Sequence, residues 1–142
     1  MTRSVKDAMT PTVASVSPGQ TIIEAARMMR DEDVGSLPVT EDGRLVGIVT
    51  DRDLVIRVLA DGRDPEAVSV REACSRETIS VEVDQELDEA LRLMAHHQVR
   101  RLPVVDADDR LIGIVAQADV SGLGTSEQVA GTLEEISRPA SQ

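Results

Sequence analysis

Residues 12–62 alternate between two kinds of hydrophobic pattern. Short apolar runs at residues 12–16, 37–39 and 45–50 are typical of strands, and a Glu-Asp-Gly sequence predicts a turn between the last two runs. After the first run and again after the third, apolar residues recur at the spacing of helices instead. The pattern therefore predicts the order strand, helix, strand, strand, helix.

The two predicted helices have recognisable ends. The first begins at Thr21, where Thr21 and Glu24 have the spacing of a capping box. The second covers residues 51–60 and is stopped by Gly62. The apolar residues of the first helix share one face, which we expect to be buried: Ile22, Ala25, Ala26 and Met29.

The same order of elements occurs a second time along the chain. A shift of 65 residues places Val5 on Val70, and one inserted residue near Asp106 changes the shift to 66, which places Gly47 on Gly113. The apolar face of the first helix recurs as Leu87, Ala90, Leu91 and Met94. The chain is therefore a tandem duplication.

The duplication predicts an α/β (α+β) fold built from two β-α-β-β-α units. We expect the repeats at residues 5–62 and 70–124, a linker at residues 63–69, and a short C-terminal helix with a frayed tail at residues 125–142. A unit of about 55 residues buries too little surface to be stable alone. The two units are therefore expected to pack sheet to sheet about a pseudo-twofold axis.

Composition excludes several classes of partner. The 142 residues include no Phe, Trp or Tyr, which excludes recognition by aromatic stacking. The net charge of −11 argues against nucleic acid and anionic membrane surfaces. The N-terminal residues lack the apolar segment of a signal peptide, so the expected location is cytoplasmic. The single cysteine, Cys74, fits a reducing compartment and is expected to act as a small buried hydrophobe.

Two motifs, each present in both repeats, resemble those of the CBS domain. Leu37-Pro-Val39 is followed by Gly47-Ile-Val-Thr-Asp-Arg-Asp53, and the second repeat has the counterparts Leu102-Pro-Val104 and Gly113-Ile-Val-Ala-Gln-Ala-Asp119. The chain from about Val5 to Leu123 is similar to a CBS pair, or Bateman module, of the small stand-alone bacterial kind that includes hypoxia- and dormancy-associated proteins. The resemblance implies a regulatory, non-catalytic module that binds an adenine nucleotide in a cleft between the repeats and signals to a partner.

The chemistry of the first motif agrees with this implication. A carboxylate can accept hydrogen bonds from both hydroxyls of a ribose, and the family pattern gives that role to Asp53. In the same pattern the Thr50 hydroxyl reaches the ribose or the phosphate, and Arg52, which lies between Thr50 and Asp53 in the sequence, can assist. A helix start also offers free amides to a phosphate. The alternative interpretation is that Thr50 and Asp53 only cap the helix.

The resemblance implies two clefts of unequal quality. The second repeat has Ala116 where the first has Thr50, although Asp119 is kept, and it has arginines in front of its Leu-Pro motif. We therefore expect one competent site and one weak or empty site. The first would combine Thr50, Asp53 and Arg52 with Ile79, Val99, Arg100, Arg101 and Pro103; the second would hold Val13, Val34, Pro38 and Asp119.

The ligand class remains open at this stage. AMP, ADP or ATP is the first expectation, with NAD(H) or S-adenosylmethionine as further adenosyl candidates, and no cofactor is required. The sequence shows no nucleophile–base pair, and no enzyme activity is predicted. The adjacent pair His96 and His97 is interpreted as a helix end rather than a metal site, because adjacent residues do not share a helix face.

The alternative function is a ligand-free interaction or dimerisation module. A homodimer is expected under either function, and the regulated protein partner is unknown. Methionines on the predicted helices are core by default, but exposed ones could dock a second copy: Met28, Met29 and Met94.

Overall fold

The computed structural model describes residues 3–11 and 14–121. The chain divides into two compact units, one formed by Ala14–Thr78 and the other by Met1–Val13 together with Ile79–Gln142. These boundaries differ from those of the sequence repeats. The start of each repeat packs in the unit built by the rest of the other repeat: Val70 belongs to the core of the first unit and Val5 to the core of the second.

The first unit contains a hairpin and three helical segments. Their bounds are α1 Ile22–Glu32, β1 Ser36–Glu41, β2 Arg44–Thr50, α2 Asp51–Leu54, which continues as a π-helical turn Val55–Leu59, and α3 Val70–Ala73. The predicted order from the first helix to the second is confirmed, while the predicted first strand appears only as a bridge at Val16, and β1 and β2 are longer than their apolar runs. Pairing with a neighbour, and not apolar side chains alone, decides where a strand ends.

The β1–β2 hairpin is the centre of the first unit. Asp42 and Gly43 make its turn with φ values of 54° and 82°, positive at both positions as in type I′ hairpin turns. β1 also pairs with Val16 in parallel, and β2 pairs with Ser75 in antiparallel orientation. Val16 is the part of the predicted strand 12–16 that forms a bridge, while residues 12–13 lie outside the described residues.

α1 buries the face that its sequence predicts. Ile22, Ala25 and Met29 are buried in the core, whereas Ala26 is only partly buried against it, and the helix ends at Asp33 in the left-handed conformation. Half of the predicted capping box forms, because the backbone N–H of Glu24 donates to Thr21 Oγ1 at 3.3 Å. The Glu24 carboxylate also accepts from the Thr21 hydroxyl and from the side chain of Gln20, and the hydrogen bonds from Gln20 and Thr21 lower the pKa of Glu24.

The second unit repeats this plan with a three-stranded sheet. A 3₁₀ turn Val5–Asp7 precedes β3 Val81–Glu82, α4 Leu87–His97, β4 Arg101–Val105, β5 Leu111–Ala116 and α5 Gln117–Ser121. The sheet order is β3-β4-β5, with β3 parallel and β5 antiparallel to β4. The predicted apolar face of α4 is buried: Leu87, Ala90, Leu91 and Met94.

The predicted C-terminal helix and frayed tail at residues 125–142 lie outside the described residues. Among residues 3–11 and 14–121, the helices are all too short or too polar to cross a bilayer.

Candidate functional site

Thr50 and Asp53 hold each other at the junction of β2 and α2. Thr50 has extended backbone angles, and its Oγ1 accepts a hydrogen bond from the Asp53 backbone N–H at 3.1 Å. Asp53 Oδ2 accepts in return from the Thr50 backbone N–H at 2.9 Å. This reciprocal pair is a complete capping box. The capping interpretation of these residues therefore describes the structure as it stands.

The capping box leaves binding capacity on both side chains. The Asp53 side chain is 16% exposed, and its second oxygen, Oδ1, lies 3.7 Å from Arg57 Nε, which is too far for a hydrogen bond. The Thr50 hydroxyl accepts one bond and keeps its own hydrogen for another acceptor. A half-buried carboxylate oxygen and a hydroxyl donor thus lie side by side at a helix start, whose first three backbone N–H groups already donate to the Gly35 carbonyl, Asp51 Oδ1 and Thr50 Oγ1.

The other predicted residues of the first unit differ in their exposure. Arg52 is exposed, Val34 is half-buried and Pro38 is buried in β1. The Asp51 backbone N–H donates to the Gly35 carbonyl at 2.9 Å and so fixes the helix start to the beginning of β1. A side chain at Gly35 would crowd this joint, since a Cβ atom there would lie 3.0 Å from Asp51 Oδ2.

The second unit has the same backbone joint with different side chains. The Gln117 backbone N–H donates to the Arg100 carbonyl at 2.8 Å, matching the bond between Asp51 and Gly35. Ala116 stands where Thr50 stands and offers no hydroxyl, and Asp119 is exposed. The residues expected to complete the first site lie at or near β4: Arg100 and Arg101 are exposed, Ile79 and Val99 half-buried, and Pro103 buried.

The residues of the predicted first site belong to two different units. The structure brings Thr50 and Asp53 together within the first unit, and Arg100 and Arg101 lie next to each other in the second. The combination of the two sets stays a prediction. Val13, expected in the weaker cleft, lies outside the described residues.

Sequence reasoning missed why the glycines belong to the motif. A Cβ atom on Gly47 would lie 2.8 Å from the Ser75 carbonyl oxygen, and one on Gly113 would lie 2.7 Å from the Thr10 carbonyl oxygen. Each glycine therefore admits the segment that enters from the start of the other repeat. The match of Gly47 with Gly113 in the duplication was a sequence signal that these glycines matter. Their contacts, Ser75 and Thr10, are distant in sequence and could not be read from it.

A separate cavity of about 290 Å³ lies in the first unit, away from the Thr50–Asp53 junction. Its lining includes Val39, Val46, Arg71 and Cys74. Arg71 Nη2 lies 3.8 Å from Glu41 Oε2, and both residues line the cavity. Burial raises the pKa of the Cys74 thiol, and the nearby Arg76 guanidinium opposes that shift. Cys74 is therefore a half-buried neutral thiol, close to the buried hydrophobe that the sequence predicts.

The histidine pair occupies the place that its sequence predicts. His96 and His97 are the last two residues of α4, both exposed, with ring centroids 4.7 Å apart in an edge-to-face arrangement. Within residues 3–11 and 14–121, no group of three or more His, Cys, Asp or Glu side chains is placed to hold a metal ion. Met29 and Met94 are core residues, which removes them as docking residues, and Met28 is partly buried.

A family model of the CBS domain matches residues 5–60 and 70–123. The chain belongs to the CBS-domain family. The predicted family is confirmed, and its two matches correspond to the two sequence repeats. The mixed α/β architecture of tandem CBS domains is confirmed as well, because solved structures of such proteins superpose on the chain.

Curated and solved CBS proteins resemble the chain over most of its length. The CBS domain-containing protein YhcV of Bacillus subtilis is 48% identical over 129 residues, which make up 91% of each chain. Hypoxic response protein 1 of Mycobacterium tuberculosis is 40% identical over 119 residues, 83% of this chain and 82% of that protein.

Two solved structures show what such proteins can hold. The structure of Hypoxic Response Protein I, with two coordinated zinc ions, has a TM-score of 0.77 at 38% identity and covers 86% of this chain and 99% of its own. CBSX2, solved in complex with AMP, has a TM-score of 0.73 at 32% identity and covers 84% and 94%.

Proposed function

We propose that this CBS pair is a non-catalytic sensor that binds an adenosine-containing ligand through the Thr50–Asp53 junction and signals to a protein partner. The observation that carries the proposal is the state of the Asp53 carboxylate. It is 16% exposed, uses Oδ2 to cap the helix, and has no hydrogen bond on Oδ1. A vicinal diol would supply two donors to an oxygen that the fold already orients.

The comparisons support an adenine nucleotide as the first candidate. CBSX2, at 32% identity, is a CBS protein in complex with AMP. The chain has no aromatic side chain to stack on adenine, so aliphatic residues and backbone amides must hold the base. We therefore propose micromolar affinity, which is about −8 kcal/mol.

We also propose that only the first motif makes a strong site. The Asp53 side chain is 16% exposed, and its backbone N–H donates to the Thr50 hydroxyl. Asp119 is exposed, and Ala116, which occupies the position of Thr50 in the second motif, has no hydroxyl. In this proposal Arg100 or Arg101 neutralises the phosphate of the ligand, while Ile79, Val99 and Pro103 contact its base. Val13, Val34, Pro38 and Asp119 would belong to the weaker cleft.

Isothermal titration with AMP tests the proposal on three proteins: the wild type, Asp53→Asn and Asp119→Asn. Asparagine retains an oxygen that can accept from the Thr50 backbone, so Asp53→Asn removes the charge without removing the cap. We expect one micromolar site in the wild type, a loss of about tenfold or more in Asp53→Asn, and unchanged binding in Asp119→Asn. Equal losses in both variants would contradict the proposed inequality of the clefts.

A ligand-free interaction module is the second candidate, and it predicts a different result. In that case the melting temperature, followed by circular dichroism, would not respond to AMP, ADP, ATP, NAD(H) or S-adenosylmethionine. A sensor saturated at 100 times its dissociation constant should gain about 2.7 kcal/mol of stability instead.

An exposed apolar surface favours homodimerisation under either function. Val55, Ile56 and Leu59 lie on one stretch of the π-helical turn and are 51%, 48% and 60% exposed. No acidic residue lies between Leu54 and Ala60, so the turn itself adds no carboxylate to a contact between two copies of a chain with net charge −11. We propose that a second copy of the chain covers it.

A further inference from the structure

Arg57 links the Asp53 carboxylate to the end of α3. Its Nε lies 3.7 Å from Asp53 Oδ1, and its Nη1 donates to the Ala73 carbonyl at 3.4 Å. The Arg57 side chain is 53% exposed, so one side of the guanidinium remains accessible to solvent. One side chain thus touches the proposed ligand carboxylate and the segment that leads to Ser75 on the edge of β2.

The two oxygens of Asp53 are therefore held from opposite sides. Oδ2 accepts from the Thr50 backbone N–H, and Oδ1 faces Arg57. Rotation of the carboxylate about its last bond would have to break the first contact and weaken the second. The plane of the carboxylate is set before any ligand arrives, and preorganisation of this kind improves affinity by lowering the ordering cost of binding.

The local backbone and the second repeat both single out Arg57. It lies within the π-helical turn Val55–Leu59, closed by a hydrogen bond of 2.8 Å from the Ala60 N–H to the Val55 carbonyl. Such turns are rare and occur often at functional sites. In the duplication, the residue matched to Arg57 is Leu123, which carries no charge. Asp53 therefore has a cation four residues later in the sequence, and Asp119 has none at the same spacing.

We propose that Arg57 is a positioning residue of the ligand site, which sets the Asp53 carboxylate for the two ribose hydroxyls and makes no contact with phosphate. The inference rests on the proposed function and specifies how the first site gains over the second. Arg57 acts through Asp53, so its contribution should appear only when the ligand has a ribose diol for Asp53 to bind.

A ligand series measured on Arg57→Met tests this role. The ligands are adenosine, 2′,3′-dideoxyadenosine, which lacks both hydroxyls, and AMP, and the measurement is isothermal titration. We expect Arg57→Met to weaken adenosine and AMP by the same factor, about threefold to fivefold, the effect typical of an ion pair with this exposure. Binding of 2′,3′-dideoxyadenosine should stay unchanged. Arg57→Lys, which keeps the charge, should restore part of the loss.

A matched control separates positioning from general loosening of the unit. Arg63 lies in the same unit, and its Nη2 is 2.7 Å from Glu72 Oε1 in another exposed ion pair. Arg63→Met should leave all three affinities unchanged. An equal loss for all three ligands in Arg57→Met would overturn the inference in favour of a structural role, and a larger loss for AMP than for adenosine would overturn it in favour of a phosphate contact.

The failure of the inference can be distinguished from the failure of the proposed function. If Asp53→Asn abolishes the preference for adenosine over its dideoxy analogue while Arg57→Met does not change it, the carboxylate role stands and the positioning role is wrong. If the wild-type protein binds none of the three ligands, both are wrong.

Discussion

Gly47 lies so close to Ser75 that a Cβ atom at position 47 would be 2.8 Å from the Ser75 carbonyl oxygen. The contact is part of the pairing between β2 and the segment that follows α3, where Ile48 and Ser75 exchange backbone hydrogen bonds of 2.9 and 3.0 Å. The second unit repeats this relationship between Gly113 and Thr10. The glycine of the motif is thus required by the crossing of segments, independently of any ligand.

Gly47→Ala should therefore destabilise the protein. The new methyl group meets the Ser75 carbonyl oxygen, which accepts from the Ile48 N–H in a residue pair held by two backbone hydrogen bonds. Relief therefore requires a shift of the strand edge, and we expect a loss of about 1–3 kcal/mol. Gly113→Ala should behave similarly. Gly19→Ala is the control, because nothing lies within 4 Å of the position of its Cβ atom. Chemical denaturation followed by circular dichroism measures the change, and equal stability of Gly47→Ala and Gly19→Ala would contradict the assignment.

The Thr50 hydroxyl caps α2 and is also proposed to bind the ligand. Two substitutions distinguish these roles from a general loss of stability of the fold. Thr50→Ala removes the acceptor of the Asp53 N–H bond, so unfolding should become easier by about 1 kcal/mol. It should also weaken AMP binding, since the hydroxyl hydrogen is lost. Thr50→Ser keeps both groups and should preserve both stability and affinity. A loss of stability with unchanged AMP affinity would leave Thr50 as a cap alone.

Much of the fold could be predicted from sequence because it depends on periodicity. The buried faces of α1 and α4 and the hairpin turn at Asp42 follow directly from local patterns. The partners of Gly47 and Gly113 could not be predicted, because those contacts join residues far apart in the chain. The cap at Thr21 was predicted, but the bond from the Gln20 side chain to the Glu24 carboxylate was not, because it depends on side-chain conformation.

The candidate site was predictable in its residue types but not in its geometry. The motif predicted Thr50 and Asp53, whereas their reciprocal hydrogen bonds were one of two open interpretations. The pairing of Arg57 with Asp53 was visible as a spacing of four residues on a helix, a known signal for ion pairs. Its bond to the Ala73 carbonyl depends on the position of α3 and has no local signature.

Cys74 should react slowly with alkylating agents at neutral pH. Burial raises its pKa above the ordinary value of 9.0, so the reactive thiolate is scarce below that pH, and the half-buried sulfur is partly shielded. Iodoacetamide at pH 7.5 should modify the folded protein more slowly than the same protein in denaturant. Arg76→Gln should slow the reaction further, because Arg76 opposes the upward shift. Equal rates in folded and denatured protein would show that the thiol is not shielded.

Glu72 should titrate below its ordinary pKa in the folded protein. The Ser69 backbone N–H, followed by the Arg63 guanidinium, lowers the pKa of its carboxyl from 4.5. Because the folded value lies below the unfolded one, the stabilising contribution is complete above pH 4.5 and is lost as pH falls through the folded pKa. Carboxyl ¹³C titration by NMR checks the direction, and Arg63→Met should move the pKa upward. A folded value at or above 4.5 would contradict the assignment.

The exposed surface of the π-helical turn gives the last prediction. If a second copy covers Val55, Ile56 and Leu59, a charge placed there must be desolvated in the dimer, at a cost that an exposed position in the monomer does not carry. Ile56→Asp should therefore weaken self-association without changing the stability of the monomer.

Sedimentation velocity over a concentration series measures this effect, and Val46→Asp is the matched control. Val46 is 39% exposed on β2, so it tests whether any exposed apolar residue in this unit has the same influence. We expect a dimer for the wild type and for Val46→Asp, and a shift toward monomer for Ile56→Asp. A wild-type protein that stays monomeric, or equal dissociation in both variants, would refute the assignment of this surface, because the partner would then be another molecule or another face.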